Sequence, residues 1–200
     1  MGGESLLRAE LTRLGIPGDR LLQVRDAQGG LVTARSRPAL LGHHAVLGEG
    51  GEPRVDGRPW GAPEVARDVE LAAGAGARLV REEGPGRFDI LPLLVATDGA
   101  IEAFGHDRRR LRPNFVISGV PGLAERGWEG RRLRVGDVLI GIQDLRGRCI
   151  MTTFDPDTQA QDVDVLRKIR REFGGRLALN ASVLQPGSVR IGDSVELLED

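Results

Sequence analysis

The only cysteine of the chain lies in the stretch "RGRCIMTTFDP", where Arg146 and Arg148 precede Cys149. Nearby guanidinium groups favour a thiolate, the form of cysteine that attacks electrophiles and binds soft metals. A free cysteine also packs well as a small buried hydrophobe, and composition alone favours that structural role. If "RCIMTT" is extended, Cys149, Met151 and Thr153 share one face of a strand, and Arg148, Ile150 and Thr152 share the other. We expect one of these two faces to meet a ligand.

A second group of candidate residues is "RPN", in which Arg112 and Asn114 flank Pro113. Proline pushes the preceding residue towards extended backbone, so both side chains are expected to project from one side of a strand start. An arginine fork suits a phosphate, and an asparagine amide can both donate to and accept from a heterocycle edge. A strand entry with a turn-forming asparagine explains the same residues without any ligand.

Several common chemistries lack the residues that they require. "GAGAR" has no third glycine and follows a helix-like segment, and Lys168 has no glycine-rich loop before it, so dinucleotide and Walker-type phosphate loops are excluded. His43, His44 and His106 have neither metal-ligand spacing nor a G-x-S-x-G partner. The basic stretch "HDRRRLR" has no interleaved aromatic residues to stack on bases, so no nucleic-acid partner is expected.

Composition predicts a soluble, cytosolic protein. The 28 basic and 29 acidic residues nearly cancel, and one cysteine cannot form an internal disulfide. The apolar run at residues 90–96 is far shorter than the roughly 20 residues that span a bilayer, so no membrane association is expected.

The apolar pattern predicts a mainly β fold with a few short helices. Hairpins are expected around "DAQGG", "VGD" and "QPG", and residues 47–63 are expected to form an irregular loop. Val163, Leu166, Ile169 and Phe173 have the spacing of an amphipathic helix. "APEVARDVELAAG" and "TDGAIEAFG" are further helix candidates, and a seam near "REEGPGRFD" separates two halves.

The motifs "RPNFVISGV", "WEGRRLRVGDVLIG", "GRCIMTTFDPDT" and "GSVRIGDSVELL" resemble, in order and spacing, those of MOSC-domain proteins, the family of the molybdenum cofactor sulfurase C-terminal domain. The resemblance implies a MOSC β-barrel over residues 86–200, preceded over residues 1–85 by a partial N-terminal β-barrel domain. It also implies a bound pyranopterin molybdenum cofactor with Cys149 as the molybdenum ligand. The cofactor-binding residues that it implies are Arg35, Thr97, Arg112, Asn114 and Arg148.

The same resemblance implies an activity. In the reductase branch of the family, which includes the amidoxime-reducing components, molybdenum removes oxygen from small N-hydroxylated compounds, and electrons come from a flavin or heme protein. A non-catalytic carrier of the cofactor, or of a persulfide on Cys149, is the alternative. The sulfurase itself couples this domain to a pyridoxal-phosphate desulfurase, which a carrier would need from a partner. A third hypothesis is a scaffold protein whose site is degenerate.

Two departures from the family pattern affect the expected site. Gly147 stands two residues before the cysteine, where amidoxime reducers often have serine, so one polar contact to the cofactor is expected to be missing. In related proteins a strand ending in a tyrosine-proline-x-lysine-serine motif precedes the segment that starts here at "GGE". The resemblance therefore predicts either a longer natural protein or a shortened form with a weakened site.

Overall fold

The computed structural model describes residues 2–199, and most of the regular structure there is β-strand. The strands are β1 (Arg8–Leu11), β2 (Leu22–Arg25), β3 (Leu31–Val32), β4 (Ala45–Leu47), β5 (Pro53–Val55), β6 (Arg58–Pro59), β7 (Arg78–Arg81), β8 (Leu93–Thr97), β9 (Phe115–Ile117), β10 (Arg132–Val135), β11 (Val138–Gly147), β12 (Arg176–Gln185), β13 (Gly187–Arg190) and β14 (Val195–Leu198). The helices are α1 (Pro63–Ala73), α2 (Asp98–Phe104) and α3 (Val163–Phe173), with 3₁₀ turns at Pro38–Gly42, Glu49–Gly51, Pro85–Arg87, Arg108–Arg110, Ala124–Trp128 and Ile150–Thr153. The prediction of a mainly β fold with a few short helices is confirmed.

The chain divides into two compact units. The first consists chiefly of Gly18–Arg87, together with Asp155–Ala160 and the residues before Leu6. The second consists of Leu6–Pro17, Phe88–Phe154 and the residues from Gln161 onward.

The first unit is built on two small antiparallel sheets, with strand orders β3-β2-β7 and β4-β5-β6. Helix α1 contributes Val65 and Val69, which are fully buried and pack in one cluster with Val24 of β2 and Val55 of β5. The predicted hairpin around "DAQGG" is confirmed, because β2 and β3 pair antiparallel.

The predicted irregular loop at residues 47–63 is wrong in its central part. Strands β4, β5 and β6 form a short antiparallel meander there. Asp56 and Gly57 both have positive φ, 50° and 77°, as a tight hairpin turn with an Asp-Gly pair requires. Val55 is only 1% exposed, so burial of this side chain in the core stabilises the meander in spite of its many glycines and prolines.

The second unit contains a six-stranded sheet of order β14-β10-β11-β12-β8-β9, which curls into a half-barrel. Strands β8 and β9 are parallel, and the other neighbours are antiparallel. One face of the sheet packs a core that includes Val95, Leu133, Ile140 and Leu179. Buried residues of α2 and α3 form a separate cluster with Leu177 of β12.

Helix α3 has the predicted amphipathic pattern. Asp162 caps its start by accepting from the Asp164 N–H, and Gly174 ends it in the left-handed conformation. The buried stripe consists of Val165, Leu166, Ile169 and Phe173, whereas Val163, which we expected in the stripe, is 43% exposed.

Two of the three predicted hairpins form, and the third is wrong. Strands β10 and β11 pair across "VGD" as expected. Strand β12 pairs with β11 as far as Gln185, just before the turn, and with β8 only at Leu179–Ala181. Strand β13 does not fold back onto β12 but pairs with β1 in a separate two-stranded sheet, and β14 pairs with β10.

Within residues 2–199, no helix combines the length and apolar character that crossing a membrane requires.

Candidate functional site

Cys149 lies just beyond the end of β11, at the start of the 3₁₀ turn Ile150–Thr153. Its carbonyl oxygen accepts from the Thr152 N–H at 3.1 Å and from the Thr152 hydroxyl at 2.9 Å. The Thr153 hydroxyl likewise donates to the Ile150 carbonyl at 2.7 Å. Threonine hydroxyls that bond back three residues favour a tight turn over a strand, so the extended interpretation of "RCIMTT" is wrong. The cysteine is partly exposed at the head of this turn.

Arg148 lies beside the cysteine and is half-buried, with its Nε out of contact with solvent. Its Nη2 donates to the Leu111 carbonyl at 2.7 Å, whereas its buried Nε has no hydrogen-bond partner within residues 2–199. Burial, together with the positive charges of Arg146 and Arg112 and against the opposing effect of Cys149, lowers the pKa of Arg148 to about 10. The fold thus places Arg146, Arg112 and the Cys149 thiol within electrostatic reach of Arg148.

Arg146 is held by residues outside the cysteine motif. Its Nη2 lies 2.5 Å from Asp89 Oδ2, and its Nη1 donates to Asn180 Oδ1 at 3.3 Å. Asn180 in turn donates through Nδ2 to Asp144 Oδ1 at 2.6 Å. Sequence reasoning missed Asp89 and Asn180, although an asparagine inside the apolar strand "LALNASVL" was an available signal.

Arg112 does not have the extended backbone expected of a residue before proline. Its φ is +58°, in the left-handed region, and its N–H donates to the Arg109 carbonyl at 3.1 Å. The hydrogen bond that closes the turn after Arg108–Arg110 therefore outweighs the local preference set by Pro113. The side chain is exposed.

Asn114 fixes the start of the parallel pair β8–β9. Its backbone N–H donates to the Leu94 carbonyl at 2.8 Å, and its side-chain Oδ1 accepts from the Leu94 N–H at 2.9 Å. The amide oxygen thus continues the ladder by one position before β9 begins. Leu94 is also the register partner of Asn180, which places Asn114 on the strand next to the Arg146 network.

Thr97 is the N-cap of α2 and is fully buried. Its hydroxyl accepts from the Ala100 N–H at 3.2 Å and donates to Glu125 Oε2 at 3.4 Å. Side chains alternate along β8, so Thr97 lies on the face of Val95, whereas Asn180, paired with Leu94, lies on the other face. The structure does not bring Thr97 to the face that carries Arg146 and Asn180.

Glu125 is a buried acid that sequence reasoning missed, and "GLAERGW" gives no signal for it. Its side chain is 0% exposed, and its Oε1 has no partner among the described residues. Burial raises the pKa of this carboxyl, which favours the neutral form.

Arg35 lies in the first unit, in an exposed turn after β3. Its backbone N–H donates to the Thr33 hydroxyl at 3.3 Å. The other predicted site residues all belong to the second unit, where Cys149, Arg148 and Arg112 form one electrostatic cluster. Residues 2–199 contain no group of three or more histidine, cysteine or acidic side chains that could hold a metal ion by themselves.

Comparison with known proteins assigns the family. Residues 98–196, which include Arg112, Asn114, Arg148 and Cys149, match the MOSC domain family. The chain contains a MOSC domain. The fold agrees, because the solved YUAD protein of Bacillus subtilis superposes over 97% of this chain and 86% of its own, with a TM-score of 0.50 and 17% identity.

Part of the chain also resembles curated relatives. Mitochondrial amidoxime-reducing component 1 of Mus musculus is 31% identical over 129 residues, 55% of this chain and 37% of the mouse protein. The Homo sapiens protein of the same name is 37% identical over 100 residues, 44% of this chain and 29% of the human protein. The matches thus span 37% or less of the relatives' own length.

Proposed function

We propose that this MOSC protein binds the pyranopterin molybdenum cofactor at Cys149 and reduces N-oxygenated compounds. The single observation that carries the proposal is Arg148, whose buried Nε lacks a partner among the described residues and whose charge lies near two other arginines. A buried donor and a cluster of like charges are both unfavourable in isolation. An anionic group beside Cys149 would relieve both.

The residues present fit this cofactor chemically. A thiolate is a soft donor for a transition metal, and Cys149 is partly exposed at the head of its turn. Guanidinium forks of Arg148 and Arg112 match the phosphate and other acceptors of an anionic pterin. Arg35 and Asn114 are further proposed contacts, carried over from the family resemblance alone.

The cofactor, when bound, would supply the electron transfer that removes oxygen from nitrogen. Cys149 would hold the metal, and Arg148 and Arg112 would orient and neutralise the anionic end of the pterin. The name of the amidoxime-reducing relatives supports the substrate class. The proposal includes a flavin or heme protein as electron donor, and a cytosolic location, which a single unpaired cysteine supports.

The proposal is tested on protein made in a host that assembles the cofactor. We expect about one molybdenum per chain and the fluorescence of oxidised pterin. Cys149→Ser should lose the metal with an unchanged circular dichroism spectrum, because a serine hydroxyl is a poor substitute for a soft thiolate ligand. Arg148→Met should lower pterin retention by about ten- to a hundredfold, the value of one charge-assisted contact. Arg167→Met, at an exposed arginine of α3, is the matched control.

Each result has a defined meaning. Full molybdenum content in Cys149→Ser would remove the cysteine from the metal site. Unchanged pterin in Arg148→Met would place the anionic end elsewhere. If the wild-type protein carries labile sulfur on Cys149 and no molybdenum, the result would contradict the reductase proposal and favour the sulfur-carrier alternative.

A further inference from the structure

Strand β11 leads directly into the Cys149 segment, but its pairing with β12 is irregular there. The register shifts between Ile142 and Asp144, and again between Leu145 and Gly147. Arg146 lies at the second irregularity, where the two residues Leu177 and Ala178 of β12 stand against this single residue of β11. Such bulges re-aim side chains, and they leave the local chain direction less constrained by the backbone ladder.

Side chains supply the missing constraint at this point. Asp144 Oδ1, Asn180, Arg146 and Asp89 are linked by three contacts of 2.6, 3.3 and 2.5 Å. Asn180 is 3% exposed, so its amide is held within the protein and can satisfy both neighbours without competition from water. The Arg146 side chain is 18% exposed, whereas that of Asp89 is 47% exposed. The network thus runs from a buried strand position to the surface across the irregular pairing.

We propose that Asn180 and Asp89 are positioning residues that fix Arg146 and thereby aim the Arg148–Cys149 segment. Neither residue lies in the cysteine motif, and neither is proposed to contact a ligand. Asn180 fixes the guanidinium from the β12 side, and Asp89 fixes it from the solvent side. The importance of the Cys149 segment rests on the proposed function, but the positioning of Arg146 is a property of the protein without cofactor.

The test measures the local positive field at the thiol. Cys149 is the only cysteine, so its alkylation can be followed without interference. The ratio of the rates with iodoacetate, an anion, and iodoacetamide, a neutral reagent, reports nearby positive charge and cancels the intrinsic reactivity of the thiol. The cofactor-free folded protein is used, with Arg146→Gln to measure how much this guanidinium contributes.

Asn180→Leu is the decisive variant because it replaces one uncharged residue by another of similar size. If Asn180 positions Arg146, the rate ratio should fall by about threefold to fivefold, close to the fall in Arg146→Gln. If Asn180 only stabilises the fold, the melting temperature falls and the ratio in the folded protein stays at the wild-type value. The second result would overturn the proposal.

Asp89→Asn provides an independent test at a half-exposed position where folding is not at risk. If Asp89 contributed only its negative charge, its removal would raise the positive field at the thiol and the rate ratio would rise. If Asp89 anchors Arg146, the guanidinium moves away in the variant and the rate ratio falls. We expect the ratio to fall. A raised ratio would contradict positioning by Asp89. Asp164→Asn, which breaks an exposed arginine pair on α3, is the control and should leave the ratio unchanged.

The outcome is separable from that of the proposed function. A wild-type protein that never binds molybdenum or pterin would defeat the proposed function and leave the alkylation result standing. A bound cofactor together with an unchanged ratio in Asn180→Leu and a raised ratio in Asp89→Asn would defeat only the positioning inference.

Discussion

Glu125 is a residue whose buried environment opposes its usual charge. Its carboxyl has one oxygen 3.4 Å from the Thr97 hydroxyl and the other without a partner within residues 2–199. Arg126 donates to the Phe173 and Arg176 carbonyls. Its positive charge favours the Glu125 carboxylate, but burial disfavours that form more strongly. The raised pKa therefore makes Glu125 a source of pH-dependent stability.

We expect Glu125→Gln to gain stability relative to the wild type as the pH rises. The pKa of Glu125 is raised above its ordinary 4.5 in the fold, so above that pH the unfolded chain loses a proton that the folded chain retains. Wild-type stability thus falls with rising pH up to the folded pKa, whereas glutamine stays neutral. Melting temperatures of both proteins between pH 4 and pH 8 measure the difference.

The control for this prediction is Glu102→Gln, which removes an exposed carboxyl from α2. A gap between Glu125→Gln and the wild type that stays constant across this pH range would show that Glu125 ionises normally in the fold.

At the level of elements, the start of α2 depends on a close backbone approach. The Asp98 carboxylate accepts from the Gly119 N–H at 2.6 Å and from the Val120 N–H at 3.0 Å, and these donors lower the pKa of Asp98. The loop thus held to the helix passes so near Gly99 that a Cβ there would lie 2.3 Å from the Val120 carbonyl oxygen and 2.5 Å from the Gly122 nitrogen. Only glycine fits without a shift of the backbone.

Gly99→Ala should therefore destabilise the protein, even though alanine is the better helix former. The overlap is with backbone atoms and not with a flexible side chain, so we expect a loss of about 1–3 kcal/mol in the free energy of unfolding. Chemical denaturation provides the measurement. Gly127→Ala, where an added Cβ meets nothing within 4 Å, is the matched control. Equal stability of the two variants would mean that the loop at Val120–Gly122 can shift to accept a Cβ without a measurable cost.

At the scale of the whole molecule, β12 organises the second unit. It pairs with β11, which leads to Cys149, and with β8, which ends at Thr97. Leu179 on this strand is fully buried and lies opposite Leu145 on one side and Val95 on the other. Loss of packing at this position should therefore affect the core and both neighbouring strands together.

Leu179→Ala is expected to lower the free energy of unfolding by about 2–5 kcal/mol, the usual range for a buried leucine that leaves a cavity. Denaturant titration followed by circular dichroism measures the change. Ile191→Ala, at a side chain that is 73% exposed, should change stability by no more than about 0.5 kcal/mol. A similar small effect in Leu179→Ala would show that the core relaxes to fill the space.

The sequence by itself determined the features that depend on near neighbours. The spacing of Leu166, Ile169 and Phe173 specifies α3, and turn residues specify the β2–β3 and β10–β11 hairpins. It also determined which residue types are available for chemistry, and the RPN and RC motifs lie within the matched MOSC region. These features follow from local backbone preferences and from the periodicity of apolar side chains, which a sequence displays directly.

Only the tertiary structure decided how distant segments meet. The "QPG" hairpin does not form because β13 pairs with the distant strand β1, and Arg112 turns left-handed because a hydrogen bond to Arg109 outweighs the effect of Pro113. The contacts of Asn180 and the burial of Glu125 join residues far apart in the chain. Strand pairing and desolvation depend on what surrounds a residue in space, and the residues beside it in the sequence do not specify that environment.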